Sequence, residues 1–251
     1  RAVAMISGDR QGRIWIASEA QNLFCYDLKE QSLRNYILTE HSLVSTNVKC
    51  LTVDNSGTIW IGFYGDGLFY SKDNLKTLHP YLSPVDNEET YNDDVVSKIV
   101  LGAYNCLYIS SLKGGVKELN LTSGKLRDLL LKDENNEAIY CRTLLVYTDN
   151  ELWIGTESGV YIYNLRTEKY THLRSSEYDP YSLSDNAIYS FCKDREDGIW
   201  IGSYFGGVNY YPRSYTYFEK YYPKGIENSL HGKRVREFCR DSQGILWIGT
   251  E

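Results

Sequence analysis

The chain has 251 residues, 42% of them hydrophobic and 24% charged, with a formal net charge of −6. That is the balance of a globular protein long enough to bury a sizeable core; the acidic excess argues against nucleic acid as a partner, and no apolar run approaches the roughly 18 residues of a membrane helix. It starts at Arg1 without a signal peptide, so an excised piece of a longer protein is expected.

Short strands follow one another along the chain, with no helical pattern of ten residues between them. They group in fours. The first group is expected near 2–8, 13–18, 22–27 and 33–37. The second is expected near 48–53, 58–62, 67–71 and 77–81, and the third near 95–101, 106–110, 115–119 and 125–131. A fourth group runs near 140–147, 151–155, 159–163 and 169–174, and a fifth near 187–193, 198–202, 207–211 and 215–221. A sixth begins at 234–240 and 245–249 and is incomplete at Glu251.

The second strand of each group carries the repeat. The chain reads DRQGRIWIA around Trp15, DNSGTIWIG around Trp60, GAYNCLYIS around Tyr108, YTDNELWIG around Trp153, DREDGIWIG around Trp200 and DSQGILWIG around Trp247. Successive aromatics are 45, 48, 45, 47 and 47 residues apart. That period fits a β-propeller or a solenoid. Each aromatic lies between aliphatic neighbours, and a small residue stands two positions beyond it: Ala17, Gly62, Ser110, Gly155, Gly202 and Gly249. With a strand period of two, both faces are apolar, as in a strand covered on both sides. The fold class expected is therefore all-β, a propeller of four-stranded blades. About five and a half blades are present, near 1–40, 47–82, 95–131, 139–174, 186–222 and 233–251, with the six aromatic rings wedged between sheets.

The turns explain most of the residues that tempt a catalytic reading. Asp9, Asp54, Asp194 and Asp241 each precede a Trp by six residues. A short carboxylate there can accept backbone N–H groups across the turn, and a Gly about three residues on can supply positive φ. Gly114-Gly115 and Gly206-Gly207 mark the next hairpin; no helix follows them, so no phosphate loop is expected. Cys25, Cys50, Cys106, Cys141, Cys192 and Cys239 all fall in strands, with no CxxC. Buried free thiols suit them best, although the equivalent Cys192 and Cys239 leave a disulfide open. The four histidines lack ligand spacing. No catalytic residue, metal ligand or cofactor is assigned. The 23 Tyr fit high β content first, and carbohydrate or protein surfaces second.

The linkers rhyme as well. Ser42-Leu43, Ser182-Leu183 and Ser229-Leu230 stand six residues before the next innermost strand. Each Leu is expected to plug between blades while the polar neighbours serve the loop backbone. The linker 83–94 is long and acidic, a solvated loop.

The pattern SL-x-x-x-x-V, then D-x-x-G-x-[IL]-W-I-G-T, then G-G-[LV]-x-x-[YF] resembles the two-component regulator propeller repeat. Ser182-Leu183 through Gly207-Val208, Ser42-Leu43 through Gly67-Leu68, and Ser229-Leu230 through Thr250 carry the resemblance, which extends over essentially the whole chain. Gly102, Tyr108 and Tyr147 depart from it. The resemblance implies the periplasmic sensor region of a Bacteroides-type hybrid two-component system controlling polysaccharide use. It also implies seven-bladed propellers, often in tandem, ahead of a β-sandwich, a membrane helix and a histidine kinase. Seven blades need ~320 residues, so the chain is expected to be part of a ring, with an apolar blade face covered by self-association or a partner.

Three functions remain open: a non-catalytic sensor of an oligosaccharide or glycan fragment, a protein-interaction propeller without a small ligand, and a carbohydrate-active enzyme. Sugars stack their CH faces on aromatic rings and need carboxylates and amides for their hydroxyls. The turn after each aromatic strand supplies such groups on one face of the ring: Glu19, Tyr64, Asp66, Lys113, Glu157, Tyr204 and Phe205. A glycosidase would need two converging carboxylates, and no pair stands out. Sensing ranks first.

Overall fold

The computed structural model describes residues 3–18, 22–38, 47–81, 95–130, 132–179, 181–213, 221, 223 and 229–251. Among them there is no α-helix, and hence none long and apolar enough to cross a membrane. The strands form antiparallel sheets in simple meander order. The first blade is β1 (Val3–Gly8), β2 (Arg13–Ser18), β3 (Asn22–Asp27) and β4 (Ser32–Ile37). The second is β5 (Val48–Val53), β6 (Ile59–Phe63), β7 (Leu68–Ser71) and the short β8 (His79–Pro80). The third is β9 (Val96–Leu101), β10 (Cys106–Ser111), β11 (Val116–Asn120) and β12 (Leu126–Leu130). The fourth is β13 (Cys141–Thr148), β14 (Glu151–Thr156), β15 (Gly159–Asn164) and β16 (Lys169–Leu173). Blade five has β17 (Ile188–Lys193), β18 (Ile199–Ser203) and β19 (Val208–Tyr211), and the sixth sheet has β20 (Val235–Arg240) and β21 (Leu246–Thr250). The fourth strand expected near 215–221 falls largely on residues 214–220, outside the described residues, as do Glu19 and the acidic linker 83–94.

The first strand of each blade packs against the first strand of the next from β1 to β17, which makes these the innermost strands of a propeller. Four cores fill the spaces between blades. Each combines the aromatic of one second strand with the aliphatic pair of the next. Trp15 packs in one cluster with Ile59 and Ile61, Trp60 with Leu107 and Ile109, Tyr108 with Leu152 and Ile154, and Trp153 with Ile199 and Ile201. This is why both faces of these strands are apolar. The small residue beyond the aromatic has a steric cause: a Cβ on Gly155 would lie 2.6 Å from the Thr143 methyl and 2.9 Å from Ile188. Leu183 plugs the space between blades four and five, as expected.

The turn aspartates bind both backbone and ring. Asp9 Oδ1 accepts the N–H groups of Gln11 (2.9 Å) and Arg13 (3.0 Å), and Oδ2 accepts Trp15 Nε1–H at 2.9 Å. Asp54, Asp194 and Asp241 hold Trp60, Trp200 and Trp247 in the same way at 2.9, 3.1 and 2.9 Å. The carboxylate thus closes the turn and fixes the rotamer of the wedge six residues on. The positive φ falls to Gly12, Gly57 and Gly244, but in blade five to Asp197 (φ 63°), since Gly198 is one place too late. In blade three the Gly102 site has no room for a side chain, because a Cβ there would lie 2.3 Å from the Tyr108 ring. In blade four Glu151 replaces the missing aspartate, with Oε1 accepting Trp153 Nε1–H at 2.7 Å.

Two expectations need correction. Trp15, Trp60, Tyr108 and Trp153 are buried, but Trp200 is 46% and Trp247 62% exposed. A ring is buried only where the next blade's inner strand closes over it, and every residue of β20 is exposed. For the same reason Cys192 and Cys239 are exposed, while Cys25, Cys50, Cys106 and Cys141 are buried; all six are free thiols. The face of blade one turned away from blade two is also open, with Ile6, Leu33 and Ile37 exposed.

Two outcomes follow for stability. Trp153→Ala should cost about 3–5 kcal/mol in urea unfolding, and Trp200→Ala roughly half or less, because the apolar term scales with buried area. The Asp9 carboxyl is the pH-sensitive clamp. Burial would raise its pKa, but the bonds from Trp15 and Arg13 and the Arg13 charge together bring it below the ordinary carboxylate value. Since the folded value is depressed, this stabilisation is complete above the unfolded pKa of about 3.9. It is lost as pH falls through the lower folded value. Acid unfolding followed by tryptophan fluorescence should show a smaller loss in that window for Asp9→Asn.

Candidate functional site

The candidate residues sit where the second strand of each blade turns toward the third. The structure adds an element that strand periodicity hides. The pairing of first and second strands skips one residue in every blade: between Val3 and Met5, Val48 and Cys50, Val96 and Lys98, Cys141 and Thr143, Ile188 and Ser190, and Val235 and Glu237. A bulge of this kind re-aims one side chain. The bulged residues are Ala4, Lys49, Ser97, Arg142, Tyr189 and Arg236. In four blades the bulged residue meets the residue just past the second strand. Lys49 Nζ lies 5.3 Å from the Tyr64 ring centre. Arg142 Nε donates to Glu157 Oε1 at 2.6 Å. The Tyr189 and Tyr204 rings stack at 5.1 Å. Arg236 pairs with Glu251.

Across blades four and five these pairs join. The Arg142 guanidinium, bound to Glu157, lies 4.9 Å over Tyr189; Tyr189 stacks on Tyr204, and Phe205 meets Tyr204 edge-on at 4.3 Å. Phe205 is 86% exposed, and Tyr189 and Tyr204 are exposed beside it. The result is an ion pair continuing into three aromatic rings on one rim. Ion pairs this exposed contribute little to stability, and an open run of rings is more informative than a lone exposed apolar residue.

The linker holds this platform in place. Asp185 Oδ2 accepts the Phe205 N–H at 2.9 Å; that bond, with other backbone donors of the turn, keeps the Asp185 carboxyl below its ordinary range. Ser184 Oγ–H donates to the Gly206 carbonyl at 2.8 Å, and Asn209 Nδ2–H donates to Ser184 Oγ at 2.9 Å. The Ser-Leu-Ser-Asp-Asn segment therefore plugs the blade with Leu183 and clasps the Tyr204–Phe205 turn with its polar residues.

Of the expected residues, Glu157, Tyr204 and Phe205 are brought together. Tyr64 lies on blade two with Lys49, and its backbone bridges to Val95 of the next blade. Asp66 is in the same turn as Tyr64, and Lys113 is exposed on blade three, apart from the platform. Glu19 lies outside the described residues. Arg142, Tyr189 and Lys49 were not singled out from sequence. Their signal was a charged or aromatic residue just after the first apolar residue of each inner strand, and strict alternation reads it as facing a flanking blade.

Residues 42–65, 182–205 and 229–251 match the two component regulator propeller family. Each matched repeat ends on the rim: at Tyr64-Gly65, at Tyr204-Phe205 and at Glu251. The chain resembles the extracellular domain assigned to a hybrid two-component system of B. thetaiotaomicron, at 25% identity and TM-score 0.72, over 99% of this chain and 32% of that one. It also resembles a second such domain of that organism, at 19% and 0.66, over 98% and 32%. A third likeness is to PorZ, an essential surface component of the type-IX secretion system of Porphyromonas gingivalis, at 16% and 0.61, over 84% and 32%. The last two likenesses show the fold alone. The chain thus spans about a third of the length of each of these structures, 32% in every case. No curated protein matches the chain.

Because Phe205 packs so little of its surface, Phe205→Ala should change folding stability by no more than about 0.5 kcal/mol. Asp185→Ala should instead release the turn, seen as faster amide exchange at Phe205 with global stability nearly unchanged. A large stability loss in Phe205→Ala would mean that the ring supports the fold and is not a free contact surface.

Proposed function

We propose that this chain is a non-catalytic, periplasmic sensor module of a hybrid two-component histidine kinase and response regulator, and that it receives an oligosaccharide on its rim. The observation that carries the reading is the joined Glu157–Arg142–Tyr189–Tyr204–Phe205 surface. Its rings offer flat apolar faces for the CH side of a pyranose. Its carboxylate and guanidinium offer an acceptor and several donors for hydroxyls. The likeness to extracellular domains of hybrid two-component systems supports the sensing role and the location outside the cytoplasm. Signal transfer then requires that the ligand bind two arrangements of the sensor region with different affinity, since that difference is all the free energy available. Self-association belongs to the same proposal, supported by the exposed apolar face of blade one.

The test is calorimetric titration of the sensor region with a panel of oligosaccharides. At least one should bind, and Tyr204→Ala or Phe205→Ala should weaken it about tenfold, or ~1.4 kcal/mol, without altering unfolding. Absence of binding by every oligosaccharide, with capture of a protein through the same rim, would favour the interaction propeller. Turnover of a bound glycan would make the chain an enzyme.

A further inference from the structure

On the opposite edge of the blades, where first strands turn into second strands, a groove of about 520 Å³ opens between blades two and three. Its volume lies within the roughly 300–1,000 Å³ of small-ligand clefts. Trp60, Tyr70 and Tyr81 line it, with the Tyr70 and Tyr81 rings 5.4 and 5.6 Å from Trp60. Asp54, Thr58 and Lys72 line it as well. Tyr81 O–H donates across to the Gly124 carbonyl of blade three at 3.0 Å, tying the two walls together.

The same space between blades one and two is nearly closed: a cavity of about 20 Å³ remains there. Several equivalent residues differ, Tyr70 for Cys25 and Lys72 for Asp27 among them, and the one that fills the space in blade one is Arg13. Arg13 stands four positions after Asp9, and Thr58 four positions after Asp54. The Arg13 guanidinium lies 5.1 Å from the Trp15 ring centre, and its Nε donates at 2.7 Å to Asp9 Oδ2, the oxygen that also accepts the Trp15 indole. Tyr36 stands 5.8 Å from Trp15, as Tyr81 stands by Trp60. Blade two repeats the carboxylate, indole and tyrosine of this nest. There Ser56 Oγ–H binds Oδ1 of Asp54, while Oδ2 accepts the Trp60 N–H alone among the described residues. Blade two has no guanidinium in the corresponding place; the Tyr70 ring stands against Trp60 there, and the groove beside Asp54 remains.

We propose that the groove receives an arginine side chain presented by another polypeptide, its guanidinium set on Asp54 Oδ2 and over Trp60 as Arg13 is set on Asp9 and Trp15. Arginine combines the flat cation that aromatic faces attract with donors in the fork that a carboxylate accepts. One lining ring already faces a cation, Lys72 Nζ lying 5.7 Å from the Tyr70 ring centre. Lys72 stands where blade one has Asp27, so it opposes a second cation, and its removal distinguishes the charge of the occupant. The site is separate from the rim platform and stands or falls independently of it.

The experiment follows the indole N–H resonance of Trp60 in the 251-residue chain during titration at constant ionic strength. The probes are N-acetyl-arginine amide, N-acetyl-lysine amide and cellobiose. Arginine amide should shift that resonance saturably, more strongly than lysine amide, and cellobiose should not. Lys72→Ala should tighten arginine binding several-fold by removing a like charge. Thr58→Arg should abolish the response by filling the groove from within. The proposal is overturned if no probe moves the resonance, if cellobiose alone moves it, or if Lys72→Ala weakens arginine binding. If Thr58→Arg does not fold, the sign of the Lys72→Ala effect still decides.

Discussion

A sheet of four short strands has two faces, and in this chain both are apolar along the second strand. Neither face can be satisfied by the blade itself. The architecture rests on sandwiching the second strands β6, β10 and β14 between their neighbours, with one aromatic ring on one side and an aliphatic pair on the other. The turn carboxylate makes this geometry reproducible. By accepting two backbone N–H groups and the indole N–H together, Asp9 or Asp54 ties the hairpin to the rotamer of the ring it must deliver. Where the carboxylate is missing the chain finds a substitute in Glu151, or lets the ring of Tyr108 occupy the place over Gly102.

The rim depends on the same inner strands. A bulge at the second residue of each one breaks the alternation after the inward-facing start, and in blades two, four and five the spare residue turns toward the end of the second strand. The fold can therefore vary one pair per blade without touching the cores between blades. Lys49 with Tyr64, Arg142 with Glu157 and Tyr189 with Tyr204 are three chemistries at one structural position. Their variety is what a recognition surface needs, whereas the conserved geometry below them serves packing alone. The opposite edge varies in the same manner: Arg13 closes one groove, and Thr58 leaves the next one open.

Much of this was legible in the residues. The period of 45 to 48, the aromatic between aliphatics and the Asp six residues before it placed strands within one or two residues of where they lie. Glu157, Tyr204 and Phe205 were legible as rim residues because they follow the end of a strand whose register is fixed by Trp153 and Trp200. Their partners were not, since a bulge leaves no mark in a pattern of period two. The open ring of Trp200 was equally hidden: its own repeat is as regular as that of Trp153, and only the placement of β20 separates them.

By itself, then, the order of amino acids determined which segments are strands, which face of each is apolar and which residues cap the turns. These are local matters, set by alternation and by side chains that bond within six residues. Tertiary structure decided which rings are covered, which rim residues touch and which groove stays open. Ring burial and the joining of Arg142 to Tyr189 depend on a side chain from the adjacent blade, some 45 residues away, while the rim pairs within a blade depend on a bulge that re-aims one side chain across about 15 residues, and no local pattern encodes either.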